Sequence, residues 1–171
     1  LGKLLRYSMK WVSGNVLVEQ ELEYIKDYMA LINLRFDYEI YLSLNLPEFV
    51  LKQQIPKMSL QPIVENAIYH GIESSYDDGE IVLSVHEKGN DICIEVSDNG
   101  EGMTQETIQK ILHHDQAAST NGKGSGVGVY NVDFRIKLLY GERYGISIDS
   151  EIDEGTTVRI LIPKVSDGVA E

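Results

Sequence analysis

Five apolar residues, Leu60, Ile63, Val64, Ala67 and Ile68, recur along the chain at spacings of three and four. That pattern predicts a helix over residues 57–70 with one stripe turned toward a sheet. Pro56 stands near its start, and Gly71 is placed to end it in a left-handed cap. Asn66 and His70, one turn apart, project together from a neighbouring face, with Glu65 and Tyr69 beside them. Upstream, Leu22, Ile25, Met29, Ile32 and Phe36 form a heptad-like seam in a helix over 19–37. Tyr24, Tyr28 and Leu31 make a second stripe on the same helix. Such a seam fits core packing within this chain and a dimer-forming helical hairpin equally well. Residues 1–10 have the pattern of a helix tail, and 11–15, with Ser13, Gly14 and Asn15, that of a connector.

Strand patterns occupy the remainder. Residues 38–46 alternate and stop at Pro47. Ile81, Leu83 and Val85, then Ile92, Ile94 and Val96, alternate on either side of an Asn90-Asp91 turn, as in a hairpin with one polar face. Residues 145–150 and 156–163 predict two more strands, joined across Asp153-Glu154-Gly155. Between them, Ile108, Ile111 and Leu112 mark a weak helix over 103–114. Val129, Val132, Ile136 and Leu139 mark a stronger one over 128–140. Residues 116–125 are polar and glycine-bearing, a mobile loop, and 165–171 a frayed tail. The assembly these elements favour is α+β: a two-layer sandwich with helices on one face of a mixed, mostly antiparallel sheet.

The chain of 171 residues is long enough for one ordinary core, and 43% hydrophobic with 25% charged residues is a globular composition. A net charge of −12 disfavours nucleic acid as partner, because phosphate repulsion demands a concentrated basic surface. A bound nucleotide is still compatible, since backbone N–H groups and a metal ion hold phosphates without one. Cys93, the single cysteine, falls in an apolar alternation and is expected to be a buried strand residue. The opening at Leu1 has the character of mid-helix sequence, so the chain is expected to be part of a longer one.

Two glycine segments carry candidate chemistry. Asp98-Asn99-Gly100-Glu101-Gly102 follows a strand, where Asn-Gly is ordinarily a turn, but no hairpin partner follows at once. An aspartate there can accept from an exocyclic amine, and the glycines let the backbone approach a flat ring. Gly122-Lys123-Gly124-Ser125-Gly126-Val127-Gly128 runs directly into a helix, whose free N–H groups and dipole favour an anion. Neither a dinucleotide fingerprint nor a P-loop is present. His113 and His114 are adjacent, so on a helix they point apart and make a poor metal pair.

Taken in order, Glu65-Asn66, Asp98–Gly102, Gly124–Gly128 and Gly155-Thr156-Thr157-Val158 resemble the nucleotide-binding boxes of the gyrase/chaperone/histidine-kinase/MutL ATPases. Within that superfamily, Leu60–Gly71 and Gly126-Val127-Gly128-Val129-Tyr130-Asn131-Val132 with Arg135 are similar to sensor histidine kinases of the LytS/YesM type. Leu4-Leu5-Arg6-Tyr7-Ser8, Glu21-Leu22-Glu23-Tyr24-Ile25 and Leu34-Arg35-Phe36 resemble that family's linker from its phosphoacceptor helices. The resemblance implies a Bergerat-type fold that binds ATP and Mg²⁺, with residues 1–37 ending a helical dimerisation region, 38–165 forming the catalytic domain and 166–171 a tail.

It assigns Asn66 to Mg²⁺ between the phosphates and Asp98 to the adenine amino group. Gly100 and Gly102 shape the adenine end, beside Met103 and Thr156. Gly124, Gly126, Val127 and Gly128 pack against phosphates under a lid over 103–125. His70 and Lys123 are candidate further nucleotide contacts, with simple solvation the alternative reading of each. Glu65 is a candidate for polarising an acceptor imidazole. His70, His86, His113 and His114 all stand outside the acceptor context, so the acceptor lies elsewhere. The resemblance further implies a homodimer, a response regulator as phosphate recipient, and the cytoplasmic part of a bacterial membrane protein. Two other classes remain open: an ATP-hydrolysing clamp of gyrase or MutL type, and a non-catalytic dimerisation scaffold. Pro62 stands where the clamps place a water-activating glutamate.

Overall fold

The computed structural model describes residues 14–72, 78–113 and 127–165. In chain order its first half comprises β1 (Asn15–Leu17), α1 (Val18–Arg35), β2 (Ile40–Asn45), a 3₁₀ turn (Glu48–Lys52) and β3 (Gln54–Pro56). Then come α2 (Gln61–Asn66), continued by a π turn (Ala67–Ile72), β4 (Gly79–Lys88) and β5 (Asp91–Asp98). Helices α3 (Gln105–His113) and α4 (Val127–Tyr140) precede β6 (Gly145–Glu151) and β7 (Gly155–Pro163).

Five strands form one sheet in the order β2-β4-β5-β7-β6. β2 runs parallel to β4, and the other three pairings are antiparallel. Side chains alternate faces along each strand, so the register decides what is buried. Ile81, Leu83 and Val85 of β4, Ile92, Ile94 and Val96 of β5, and Val158, Ile160 and Ile162 of β7 all point into the core. The opposite face is polar and held by cross-strand pairs. Arg159 reaches Glu95 at 2.8 Å and also Asp149, and the Ser97 and Thr157 hydroxyls lie 2.8 Å apart. Cys93 stands on that face, out of phase with Ile92 and Ile94, yet is buried as expected of it.

The helices cover the apolar face. Leu22, Ile25, Met29 and Ile32 of α1 are buried in the same core as the sheet, so the seam is used within this chain. Of the second stripe, Tyr24 and Leu31 are exposed, while Tyr28 is half-buried against the core. On α4, Val129, Val132 and Ile136 face inward as expected, but Leu139 is 46% exposed. At that turn the inward position belongs to Tyr140, which packs against the core. The central helix is shorter than its pattern: Pro56 ends β3, and the proline at the helix start is Pro62. A ribbon of β1 with β3 and the 3₁₀ turn have no counterpart in the sequence reading. The helix tail over 1–10 and the loop over 116–125 lie outside the described residues.

One buried carboxylate fastens α4 to the sheet. Asp133 is 5% exposed, accepts the Ile146 N–H at 2.7 Å and receives Lys137 at 2.6 Å. Asp133→Ala leaves that N–H without its acceptor and is expected to cost about 1–3 kcal/mol. Urea unfolding should show a lower midpoint at an unchanged slope.

Candidate functional site

Counting by twos from Ile92 through Ile94 and Val96 brings Asp98 onto the apolar face, at the end of β5. Its partner in register is Thr156, at the start of β7. Both line a cleft together with Asn66, Ala67 and Gly71 from α2 and its π turn, and Met103 from the loop after β5. Val96, Ile111, Val129, Ile148 and Val158 supply apolar walls. A mostly apolar slot with three polar side chains, Asn66, Asp98 and Thr156, suits a flat, largely apolar ring with a few hydrogen-bonding edges.

Asp98 is set up as an acceptor. Its Oδ1 takes the Gly100 N–H at 3.0 Å. Burial pushes the carboxyl pKa up to about 6, opposed by the Gly100 and Thr156 backbone N–H groups, which favour the ionised form.

The loop after Asp98 follows a path that only small residues allow. A Cβ on Gly100 would stand 2.1 Å from the Gly71 carbonyl carbon, and one on Gly71 would stand 2.6 Å from Asp98 Oδ1. Gly71 therefore does not cap the helix in a left-handed conformation, as its sequence position suggested. It lies inside the π turn, where backbone must pass directly against Asp98. Gly102 has φ of 69°, and a Cβ there would meet the Glu151 carbonyl oxygen at 1.9 Å. Hydrogen bonds then hold the loop from three sides. Glu101 N–H donates to Gly71 O at 3.0 Å, Met103 N–H to Ser150 Oγ at 2.7 Å, and Asp153 N–H to Glu101 O at 2.8 Å. The Ser150 hydroxyl in turn donates to Gly155 O at 2.9 Å.

Asn66 closes the α-helical part of α2 and lines the same cleft. Among the described residues its amide has no hydrogen-bond partner, which leaves the oxygen available to a cation. No group of three His, Cys, Asp or Glu side chains among the described residues can hold a metal ion. A divalent cation near Asn66 would thus depend on oxygens from a bound phosphate chain and water, the usual state of Mg²⁺ beside a nucleotide. Gly128, in the first turn of α4, packs on α2: a Cβ on it would lie 3.1 Å from Pro62 Cβ. The helix N-terminus after the second glycine segment is so brought beside the turn that leads to Asn66.

Other predicted residues separate from the cleft. Glu65 does not line it. Its carboxylate accepts from Gln61 at 2.9 Å on the side facing α1. There it is one of the groups that raise the Tyr28 phenol pKa, behind burial and the Tyr69 hydroxyl. Val127 opens α4 without touching the cleft, and His70 lies in the π turn one turn past Asn66. Lys123, Gly124 and Gly126 lie outside the described residues. His113 pairs with Gln109 at 2.9 Å on an exposed helix face. The sequence reading missed Ser150 as the anchor of the Met103 loop. A serine in an alternating strand carries no local signal of that role.

Residues 56–166 match the family model described as histidine kinase-, DNA gyrase B-, and HSP90-like ATPase. The chain is 34% identical over 163 residues to the sensor histidine kinase YesM of Bacillus subtilis, covering 95% of this chain and 26% of YesM. It is 30% identical over 164 residues to the sensor protein LytS of Oceanobacillus iheyensis, covering 95% of this chain and 28% of LytS. The chain thus spans little more than a quarter of these relatives' length. Among solved structures, the catalytic domain of histidine kinase ThkA superposes with a TM-score of 0.66 at 15% identity, covering 88% of this chain and 95% of that domain. The fold is that of histidine kinase catalytic domains, and the chain belongs to the histidine kinase-, DNA gyrase B- and HSP90-like ATPase family.

Proposed function

We propose that this chain is the ATP-binding catalytic part of a sensor histidine kinase. In that role it transfers the γ-phosphate of ATP to a histidine elsewhere in a longer chain, for relay to a response regulator. The observation that carries the reading is one cleft bearing Asp98 and Thr156 at its sheet end and Asn66 at its helix end, floored by apolar side chains.

In this reading the Asp98 carboxylate accepts the adenine amino group, and the close-packed Gly71, Gly100 and Gly102 backbone shapes the slot for the ring. Met103 and Thr156 border it. Asn66 supplies one oxygen to Mg²⁺, which neutralises phosphate charge when bound. The N–H groups at Val127 and Gly128 open α4 toward the phosphates, and the family resemblance assigns Gly124 and Gly126 to the same contact. The family resemblance further assigns Lys123 and His70 to nucleotide contact and Glu65 to polarising the acceptor imidazole. Catalysis by such a site is positioning and charge stabilisation. Pro62 favours transfer to a protein group over hydrolysis, because one turn before Asn66 it offers no side chain that can accept a proton from water.

The reading includes the division into a helical region over 1–37, a catalytic domain over 38–165 and a tail. It also includes a homodimer, a cytoplasmic location for this domain and membrane attachment through other segments of a longer chain. No helix among the described residues is long and apolar enough to cross a membrane.

Calorimetric titration of the 171-residue chain with ATP, with and without Mg²⁺, tests the site. Asn66→Ala is expected to lose roughly tenfold to a hundredfold in affinity with Mg²⁺ present, about 1.4–2.8 kcal/mol. Without Mg²⁺ it should match the parent chain. Equal Mg²⁺-dependent affinity in the two proteins would refute the role of Asn66.

A further inference from the structure

Leu60 stands just before α2 (Gln61–Asn66) and has no side chain able to accept from the N–H groups of that turn. A residue far upstream fills that role. Glu21 of α1, only 7% exposed, accepts the Ser59 N–H through Oε1 at 3.0 Å and the Leu60 N–H through Oε2 at 2.7 Å. The carbonyls of the same turn are held from the other side. Arg135 of α4 donates to Lys57 O at 2.7 Å and to Met58 O at 2.8 Å. Met58 itself has φ of 60°, a conformation that a side-chain-bearing residue keeps only where its surroundings impose it. The turn before Asn66 is thus clamped between α1 and α4, and its donors are satisfied by a carboxylate on α1.

We propose, on the basis of the functional reading above, that Glu21 is a positioning residue for Asn66, coupling α1 to the phosphate end of the nucleotide site. The Ser59 and Leu60 N–H groups find no acceptor within their own turn, and Pro62 at the second helical position has no N–H for a local cap to take. With the acceptor on α1, α2 follows α1, and Asn66 sits at the end of that short rigid helix. Asp98 belongs to β5 and is held by the sheet and by Gly100. A displacement of α1 therefore reaches Asn66 directly, at the end of α2, and Asp98 only through the π turn beyond it, where Gly71 packs against that carboxylate. In a longer chain α1 then carries upstream motion to the metal–phosphate geometry.

The 171-residue chain and its Glu21→Gln variant test this by titration with ATP, with and without Mg²⁺. The glutamine offers one oxygen and turns an N–H₂ group toward a backbone donor. The expected result is that the affinity gained on adding Mg²⁺ falls about tenfold, while Mg²⁺-free affinity stays within about twofold. In an Asn66→Ala background, Glu21→Gln should then have no further effect on affinity. A purely structural carboxylate would lower both affinities together or neither, and either result overturns the proposal, as does full additivity with Asn66→Ala. Far-UV circular dichroism checks the fold. If Glu21→Gln does not fold, Glu21→Asp, which keeps the charge but shortens the reach, is measured by the same criterion. Loss of Mg²⁺-dependent affinity in Asn66→Ala with none in Glu21→Gln refutes this inference alone; no loss in Asn66→Ala refutes the functional reading beneath it.

Discussion

Asp98→Asn is expected to weaken ATP binding by roughly tenfold to a hundredfold, the worth of a hydrogen bond to a charged group at about 1.5–3 kcal/mol. The asparagine retains one acceptor oxygen, but the Gly100 and Thr156 N–H groups already compete for it. Its amide N–H₂ would then face either a backbone donor or the adenine amine. The effect should depend on pH. The parent carboxyl is raised to about 6 by burial, so binding of an amine donor favours the ionised form and weakens as pH falls through 6. The ratio of parent to variant affinity, measured at each pH, cancels the titration of the nucleotide's own phosphates. That ratio should shrink below pH 6 and level off above it.

Stability of the nucleotide-free protein should move the other way. Asp98 has a folded pKa above its ordinary value of 3.8, so between 3.8 and about 6 the folded state binds the proton more tightly than the unfolded chain. Its favourable contribution is complete below 3.8 and lost as pH rises through 6. The swing is on the order of 3 kcal/mol. Denaturant unfolding at pH 4 and pH 7 should show the difference between parent and Asp98→Asn changing by that order, to the parent's disadvantage at pH 7.

Gly100→Ala is expected to be at least as damaging, for a reason that has no chemistry in it. The added methyl meets backbone of Gly71 on three atoms, at 2.1, 2.2 and 2.3 Å. Backbone inside a π turn cannot swing aside as a side-chain tip can. Overpacking of this kind costs about 1–3 kcal/mol or more. The displaced partner is also the segment that lies against Asp98, so nucleotide affinity should fall with stability. Gly89→Ala provides the control, since nothing lies within 4 Å of its Cβ position, although its φ of 64° imposes a modest strain of its own. Thermal unfolding and ATP titration of the two variants should show lost binding for Gly100→Ala and retained binding for Gly89→Ala.

The parts of this molecule that were legible in its sequence are those fixed by local periodicity. The stripe from Leu60 to Ile68 specified a buried helix because five apolar residues agree on one face. The inward phase of Asp98 follows from the alternation of Ile92, Ile94 and Val96, and that phase is what draws its carboxylate partly out of solvent. The illegible parts depend on neighbours remote in sequence. Gly71 at a helix end suits a left-handed cap as well as it suits a close approach, and only the position of Gly100 decides between them. The three-residue strands β1 and β3 are too short to show a period of two. Leu139 and Tyr140 are both apolar enough for the inner face, and the rotation of α4 against the sheet selects the second. Glu21 carries the pattern of an ordinary charged residue in the first turns of a helix. Its burial comes from an unsatisfied turn 38 residues away.

Phosphoryl transfer tests the central claim most directly. A longer chain that includes the segment upstream of Leu1 is incubated with Mg²⁺ and ATP labelled at the γ-phosphate, beside its Asn66→Ala variant. Retained label is then tested for acid lability. The account predicts acid-labile label on the protein that disappears with Asn66→Ala. Free phosphate released at a steady rate, with no label retained and with release abolished by Asn66→Ala, would contradict it and identify the site as that of an ATP-hydrolysing clamp.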